Sequence, residues 1–146
     1  MEKPVVYYLF LLECLINLFS GPLMILYPHL VMAEMLGLTV EGMTAETAEV
    51  VRWFGCMVFA FGSVTLFRAL RCRHWPTCKL VLEGFLIGDF LYTSACIVWS
   101  ARREIWTLAS IFNITFSVIL GIARVAALQD ATLVGFDEGH FEKKSS

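Results

Sequence analysis

The chain has 146 residues, of which 58% are hydrophobic, 14% are aromatic and only 16% are charged, and its net charge is −2 at pH 7. A soluble domain usually carries about 25% charged residues and a nucleic-acid-binding domain presents a basic surface. The composition therefore favours a membrane protein of one domain and argues against a nucleic-acid partner.

Four apolar segments follow one another along the chain, and each is long enough to cross a bilayer, which takes about 20 mostly apolar residues. They cover residues 5–28, 50–70, 79–99 and 105–128. Because the segments between them are short, they predict an all-α integral membrane four-helix bundle over residues 1–128. A short polar C-terminal tail, 129–146, follows the bundle.

Proline, glycine and threonine mark several helix ends. Pro22 lies inside the first span, where it predicts a kink or the end of the regular helix. Residues 29–37, "HLVMAEMLG", predict a short interfacial helix that Gly37 stops. Thr44 is well placed to cap the second membrane helix.

Small residues predict close helix contacts within the bundle. Gly84 and Gly88 are four residues apart in the third span, a spacing that lets helices approach each other closely. Gly55 and Gly62, seven residues apart in the second span, suggest a similar contact.

Basic residues predict the orientation, because Lys and Arg concentrate on the cytoplasmic side of membrane proteins. We place the N-terminus, the connection between the second and third spans, and the tail on one side. That side then holds Lys3, Arg68, Arg71, Arg73, Lys79, Arg124, Lys143 and Lys144, and the other holds Arg52, Arg102 and Arg103. This imbalance predicts that both termini are cytoplasmic and leaves the kind of membrane open.

Ionisable side chains inside the spans are the main functional signal, because a charged group at the bilayer centre costs at least about 2.5 kcal/mol. Such a group turns towards the bundle interior and finds a partner, or it takes up a proton. The helical rise of about 1.5 Å per residue puts Asn17, Asp89 and Asn113 near the midplane, with Glu13 between them and the cytoplasmic face. Ser117 shares a helix face with Asn113. These five residues form a predicted polar seam, which is a candidate ligand-binding surface.

A second polar layer is predicted nearer the cytoplasmic face. There Glu83 is expected to form a structural ion pair with Arg124 or with Arg68. The five cysteines and three histidines show no spacing suited to zinc and no CxxC motif. We therefore expect no metal site and no cofactor.

Three stretches, "SGPLMILYPHLVMAEMLGL", "RWFGCMVFAFGSVTLFRAL" and "LIGDFLY", resemble small four-span membrane proteins of the DoxX-like kind. The likeness covers about residues 10–128: a first span ending in Pro, a short "LGL" helix, an Arg-x-Phe-Gly opening of the second span and a Gly-Asp in the third. Many members of that group have no assigned biochemistry, so the resemblance implies a fold more than an activity.

A weaker likeness is to the four-span scaffold of ergosterol biosynthesis in the endoplasmic reticulum. Its second span also begins with an Arg-x-Phe-Gly-like stretch, which here runs from Arg52 to Gly55. Its third span carries a His and a Glu where this chain has Asp89 and no His.

Two kinds of function fit these observations. The first, which the short loops favour, is a non-catalytic accessory or scaffold protein, or a binder of lipophilic molecules; its partners are the bilayer, other membrane proteins or a lipophilic small molecule. The second is a membrane enzyme that uses Glu13 and Asp89 as acid and base on a sterol, terpenoid or quinone. A roomy interior pocket lined by Glu13, Asn17 and Asp89 would favour a ligand or a substrate, and a closed seam would favour a scaffold.

Overall fold

A computed structural model of the protein describes residues 4–37, 44–72 and 74–136, and the regular structure within these ranges is entirely helical. The five helices are α1 (Val5–Leu26), α2 (Pro28–Leu36), α3 (Ala45–Arg71), α4 (Trp75–Arg103) and α5 (Leu108–Gln129). All but α2 are long and apolar enough to cross a membrane. The predicted all-α bundle with four spans and a short helix after the first is confirmed.

Local sequence signals explain where most of these helices begin and end. The Thr44 hydroxyl accepts a hydrogen bond of 3.2 Å from the backbone N–H three residues later, so the predicted cap is present and α3 starts before its apolar segment. Gly37 ends α2 with a φ of 62°, in the left-handed region that favours glycine. Pro22 does not end α1, which continues to Leu26, because a proline removes one backbone hydrogen bond and the other turns of a membrane helix remain bonded.

The four long helices form two pairs, α1 with α3 and α4 with α5. Glycines bring the first pair together: a Cβ on Gly21 would lie 2.8 Å from the Cβ of Phe59, and a Cβ on Gly55 would lie 2.7 Å from that of Met24. Gly62 likewise leaves room for Asn17 of α1. The predicted close contacts of Gly55 and Gly62 are therefore confirmed.

The corresponding prediction for Gly84 and Gly88 is wrong. A Cβ built on either glycine meets no heavy atom of the described chain within 4 Å. Both residues are exposed. The spacing alone cannot show whether a small-residue face meets a partner helix or open space.

The middle of α3, Val58–Thr65, is π-helical. Its wider turns leave backbone carbonyls to be satisfied by side chains: the Ser63 hydroxyl donates to the carbonyl of Phe59, and the Thr65 hydroxyl donates to that of Ala60 over 3.0 Å. π-helical turns are often found at functional sites. Here the segment faces Asn17, so it forms part of the interior wall.

The two pairs join at the end of the bundle that holds α1's first residue and α5's last, which we call the terminal end. Buried apolar side chains from all four long helices meet there, namely Phe10, Leu66, Leu70, Cys78, Leu82, Leu120 and Ala127. A 3-10 turn, Ala131–Val134, follows α5 and buries Val134 in the same cluster. The first residues of the expected polar tail thus pack on the bundle, and residues 137–146 lie outside the described ranges.

Away from the terminal end, the two pairs separate. The backbone contacts between α3 and α4 are concentrated in Leu66–Arg71, next to the connection between these helices. Further along, Phe54 and Tyr92 stack across the gap with ring centroids 6.3 Å apart. A space therefore opens between the helix pairs, and α2 lies over its far end, in contact with α3 and α5.

We expect Gly21→Ala to destabilise the protein by about 1–3 kcal/mol, because the new methyl group would overlap Phe59 and push α1 away from α3. The free energy of unfolding in mixed micelles titrated with sodium dodecyl sulfate measures this change. Gly84→Ala is the matched control, since its methyl group enters open space. Its expected effect is within about 0.5 kcal/mol. Equal effects of the two substitutions would contradict the close α1–α3 contact.

Candidate functional site

A buried arginine between two carboxylates is the centre of the candidate site. The Arg124 side chain has no exposed surface. Its Nη2 donates to both carboxylate oxygens of Glu13 at 2.5 Å, and its Nη1 donates to Oδ2 of Asp89. The planar guanidinium group suits this forked arrangement because it presents several N–H donors in fixed directions. We call Glu13, Asp89 and Arg124 the triad, and it links α1, α4 and α5.

Aromatic rings complete the surroundings of the guanidinium. Its central carbon lies 5.1 Å from the ring centroid of Phe85 and 5.5 Å from that of Phe10. A ring face attracts a cation, and the attraction is larger when the cation is desolvated. Nε of Arg124 is buried and has no hydrogen-bond partner in the described part of the chain. The charge is thus stabilised by two carboxylates and two ring faces.

The α4–α5 hairpin explains why Asp89 meets Arg124. Counted from the connection between the helices, Asp89 lies 14 residues before the end of α4 at Arg103, and Arg124 lies 16 residues after the start of α5 at Leu108. The two positions differ in height by about 3 Å, which the long arginine side chain spans easily. Glu13 then approaches from α1 across the bundle.

The predicted ion pair of Glu83 with Arg124 or Arg68 is wrong. Glu83 lies 3.9 Å from Lys79 on its own helix, with about half of each side chain exposed. Asp89 follows Glu83 by six positions, which turns their side chains about 120° apart around α4. Only one of the two carboxylates can face α5. The depth of a residue in the membrane does not show which one does so.

A cavity of about 590 Å³ lies directly beyond the triad, between the two helix pairs. Glu13 and Asp89 lie at its inner end, towards the terminal end of the bundle, while Arg124 is behind them and does not line the cavity. Leu23, Met24 and Val31 are among the apolar residues at its outer end. All five helices contribute to the walls.

The structure brings the predicted seam residues together around this cavity. Asn17, Asn113 and Ser117 line it with Glu13 and Asp89. The amide of Asn113 donates within its own helix, to the carbonyl of Ala109 at 2.8 Å. The polar residues therefore surround an open cavity. They do not form a closed seam in which side chains hydrogen-bond directly from helix to helix.

Sequence reasoning missed several residues of the site. Glu34 of α2 also lines the cavity, as do Phe85 and Tyr92 of α4. A tyrosine in the middle of a membrane span, away from the interfacial belt where Tyr is usual, was a usable signal for Tyr92. For Glu34 the sequence offered no such signal, because an interfacial helix also accommodates an acidic residue.

The chemistry available here is that of carboxylates, amides, hydroxyls and aromatic faces. Among the residues that the structure describes, no group of three His, Cys, Asp or Glu side chains is suited to hold a metal ion. Both carboxylates of the triad are hydrogen-bonded to one guanidinium. The cavity therefore combines carboxylate, amide and hydroxyl groups with mostly apolar walls.

Comparison of the chain with protein-family models, with curated proteins and with solved structures finds no match. The resemblances to DoxX-like proteins and to the ergosterol-biosynthesis scaffold therefore stay predictions.

We expect Arg124→Met to destabilise the protein by about 3–5 kcal/mol, because it leaves one buried and one partly buried carboxylate without their counter-ion. Denaturation in mixed micelles again measures the change. Arg68→Met makes the same substitution at an exposed position of α3. Its expected effect is within about 0.5 kcal/mol.

The stability lost in Arg124→Met could come from uncompensated charge or from altered packing. A variant that neutralises the whole triad distinguishes the two causes. Glu13→Gln and Asp89→Asn added to Arg124→Met remove the unpaired charges and keep the side-chain volumes similar. We expect this triple variant to recover at least half of the lost stability. A triple variant as unstable as Arg124→Met would show that shape, not charge, holds the three helices together.

Proposed function

We propose that this multi-pass membrane protein is non-catalytic and binds a lipophilic molecule between its two helix pairs. The supporting observation is the cavity of about 590 Å³, which has carboxylates at its inner end and mostly apolar walls. Small-molecule sites usually have volumes of about 300–1,000 Å³ and combine apolar walls with a few fixed polar groups. A lipophilic molecule with one polar end matches this distribution.

The route into the cavity passes between α3 and α4 in this proposal. Their backbones are in close contact mainly near the connection between them, and beyond it Phe54 and Tyr92 meet across the gap through their rings alone. Gly88 on α4 lines the cavity and carries no side chain that would block the passage. A molecule dissolved in the hydrocarbon could then enter sideways without crossing a polar surface.

The triad supports binding over acid–base catalysis. A general acid or base must exchange a proton with a substrate atom within hydrogen-bond reach. Both oxygens of Glu13 are hydrogen-bonded to Arg124, and one oxygen of Asp89 is bonded to the same group. Because these oxygens accept hydrogen bonds from the guanidinium, they are not free to exchange protons with a substrate. We therefore favour a binding role over the enzyme alternative.

We also propose that both termini are cytoplasmic. Arg124 does not belong in the count of basic residues, because its side chain is buried in the triad and does not reach a membrane surface. Without it, seven basic residues on the side of the termini face three on the other. The imbalance still supports the same orientation.

Filling the cavity tests the binding proposal directly. We expect Gly88→Leu to reduce the amount of lipophilic molecule that co-purifies with the protein by at least about tenfold, a loss of roughly 1.4 kcal/mol in binding. Native mass spectrometry of the purified full chain, followed by extraction of the bound molecules, measures this amount. A side chain at Gly88 has open space around it, so the fold should be retained.

Gly84→Leu is the matched control for this experiment. Gly84 lies one turn away on the same helix, is equally open, and does not line the cavity. It should leave the bound amount unchanged within about twofold. The binding proposal fails if both leucine variants retain the molecule equally, or if the unaltered protein carries none.

The orientation has its own test. An N-glycosylation acceptor added after residue 146 should stay unmodified in microsomes, while one inserted between residues 38 and 43 should be glycosylated, because only the non-cytoplasmic side carries the transferase. The fraction of glycosylated chain on a gel gives the result. The reverse pattern would place both termini outside the cytoplasm.

A further inference from the structure

The charges around the cavity are unequal. Three carboxylates line it, from Glu13, Asp89 and Glu34, and no Lys, Arg or His of the described residues does. Arg124 compensates one of the two inner carboxylates, so the triad keeps a formal charge of −1 when all its members are ionised. In an apolar environment such a charge is poorly solvated and favours a nearby cation.

One carboxylate oxygen is left to accept a hydrogen bond from a ligand. Oδ2 of Asp89 accepts from Arg124, while Oδ1 has no hydrogen-bond partner in the part of the chain that the structure describes. The Asp89 side chain is 17% exposed and lines the cavity. Glu13 differs, because both its oxygens accept from Arg124 and its side chain is only 6% exposed.

Aromatic side chains line the same cavity as Asp89. The faces of such rings attract cations, and proteins bind ammonium groups in cages built from them. The aromatic residues that line the cavity are Phe54, Phe61, Phe85, Tyr92, Phe112 and Phe116. The walls therefore suit both an alkyl chain or ring system and a positively charged nitrogen.

From this geometry we propose that the ligand is a lipophilic amine, bound with its protonated nitrogen at Oδ1 of Asp89 and its apolar body between the helix pairs. The inference rests on the proposed binding function and names the chemical class of the molecule. A fatty acid would add another negative charge to the three carboxylates. An alcohol would donate a hydrogen bond to Asp89 and leave the negative charge uncompensated.

The test compares three probes with the same alkyl chain: tetradecylamine, tetradecanol and tetradecanoic acid. The full chain is reconstituted in nanodiscs of neutral phosphatidylcholine at pH 7, and native mass spectrometry gives each dissociation constant. A charge-assisted hydrogen bond contributes more than a neutral one, so tetradecylamine should bind at least about tenfold more tightly than tetradecanol. Tetradecanoic acid should bind most weakly.

Two carboxylate variants locate the cation. Asp89→Asn should weaken binding of tetradecylamine by about 10–100-fold and change binding of tetradecanol by less than about threefold. Glu83→Gln is the matched control: it removes the same charge from the same helix, at an exposed position outside the cavity. It should leave both dissociation constants unchanged.

A third variant covers the case in which Asp89→Asn does not fold. Glu34→Gln removes a cavity carboxylate from the exposed surface of α2, where it should not disturb the fold. It should weaken binding of tetradecylamine severalfold and spare tetradecanol. The unaltered protein tests the inference without any variant, because it should bind tetradecylamine more tightly than the other two probes.

The outcomes separate this inference from the proposed function. If tetradecanol or tetradecanoic acid binds as tightly as the amine, and Gly88→Leu weakens all three, the cavity binds lipophilic molecules and the inference about charge is wrong. If the three probes bind equally and Gly88→Leu changes none of them, they are partitioning into the bilayer. That result would overturn the inference and the proposed function together.

Discussion

One guanidinium shared by two carboxylates determines how this bundle is assembled. Burying an ion costs several kcal/mol even after the protein relaxes around it, so Arg124 is stable in the interior only where Glu13 and Asp89 both reach it. This requirement sets the relative heights of α1, α4 and α5. The apolar cluster at the terminal end then packs on one side of the triad, and the cavity opens on the other side.

The cavity follows from uneven packing of the two helix pairs. Gly21 and Gly55 bring α1 and α3 into backbone contact, so these helices leave little space between them. Gly84 and Gly88 have no such partner, and α4 leans on α5 while its glycine face stays open. Because the hydrophobic effect does not pull helices together inside a bilayer, small residues produce contact only where a complementary surface faces them. Glycine therefore gives close contact between α1 and α3 but leaves the gap between α3 and α4 open.

The sequence predicts the helices better than their contacts. Apolar length identifies four spans, and Thr44 and Gly37 mark helix ends, because these signals depend on neighbouring residues alone. The pairing of Glu83 with Arg124 was wrong because it used depth and ignored rotation around α4. Counting from the α4–α5 connection and adding the helical angle would have selected Asp89. No comparable rule indicates that Asn113 donates within its own helix, to the carbonyl of Ala109, since this depends on which groups face its side chain in the folded bundle.

The two carboxylates of the triad have different roles, and the difference lies in their unused hydrogen-bonding capacity. Glu13 is buried and directs both oxygens at Arg124, so it acts within the protein. Asp89 gives one oxygen to the same guanidinium and leaves the other at the cavity wall. In the proposed complex Asp89 would both hold α4 through Arg124 and accept the amine, so binding would be coupled to packing: a cation at Oδ1 would compete with Arg124 for the negative charge of Asp89. Occupation of the cavity would then loosen the link between α4 and α5 while the link from α5 to α1 persists.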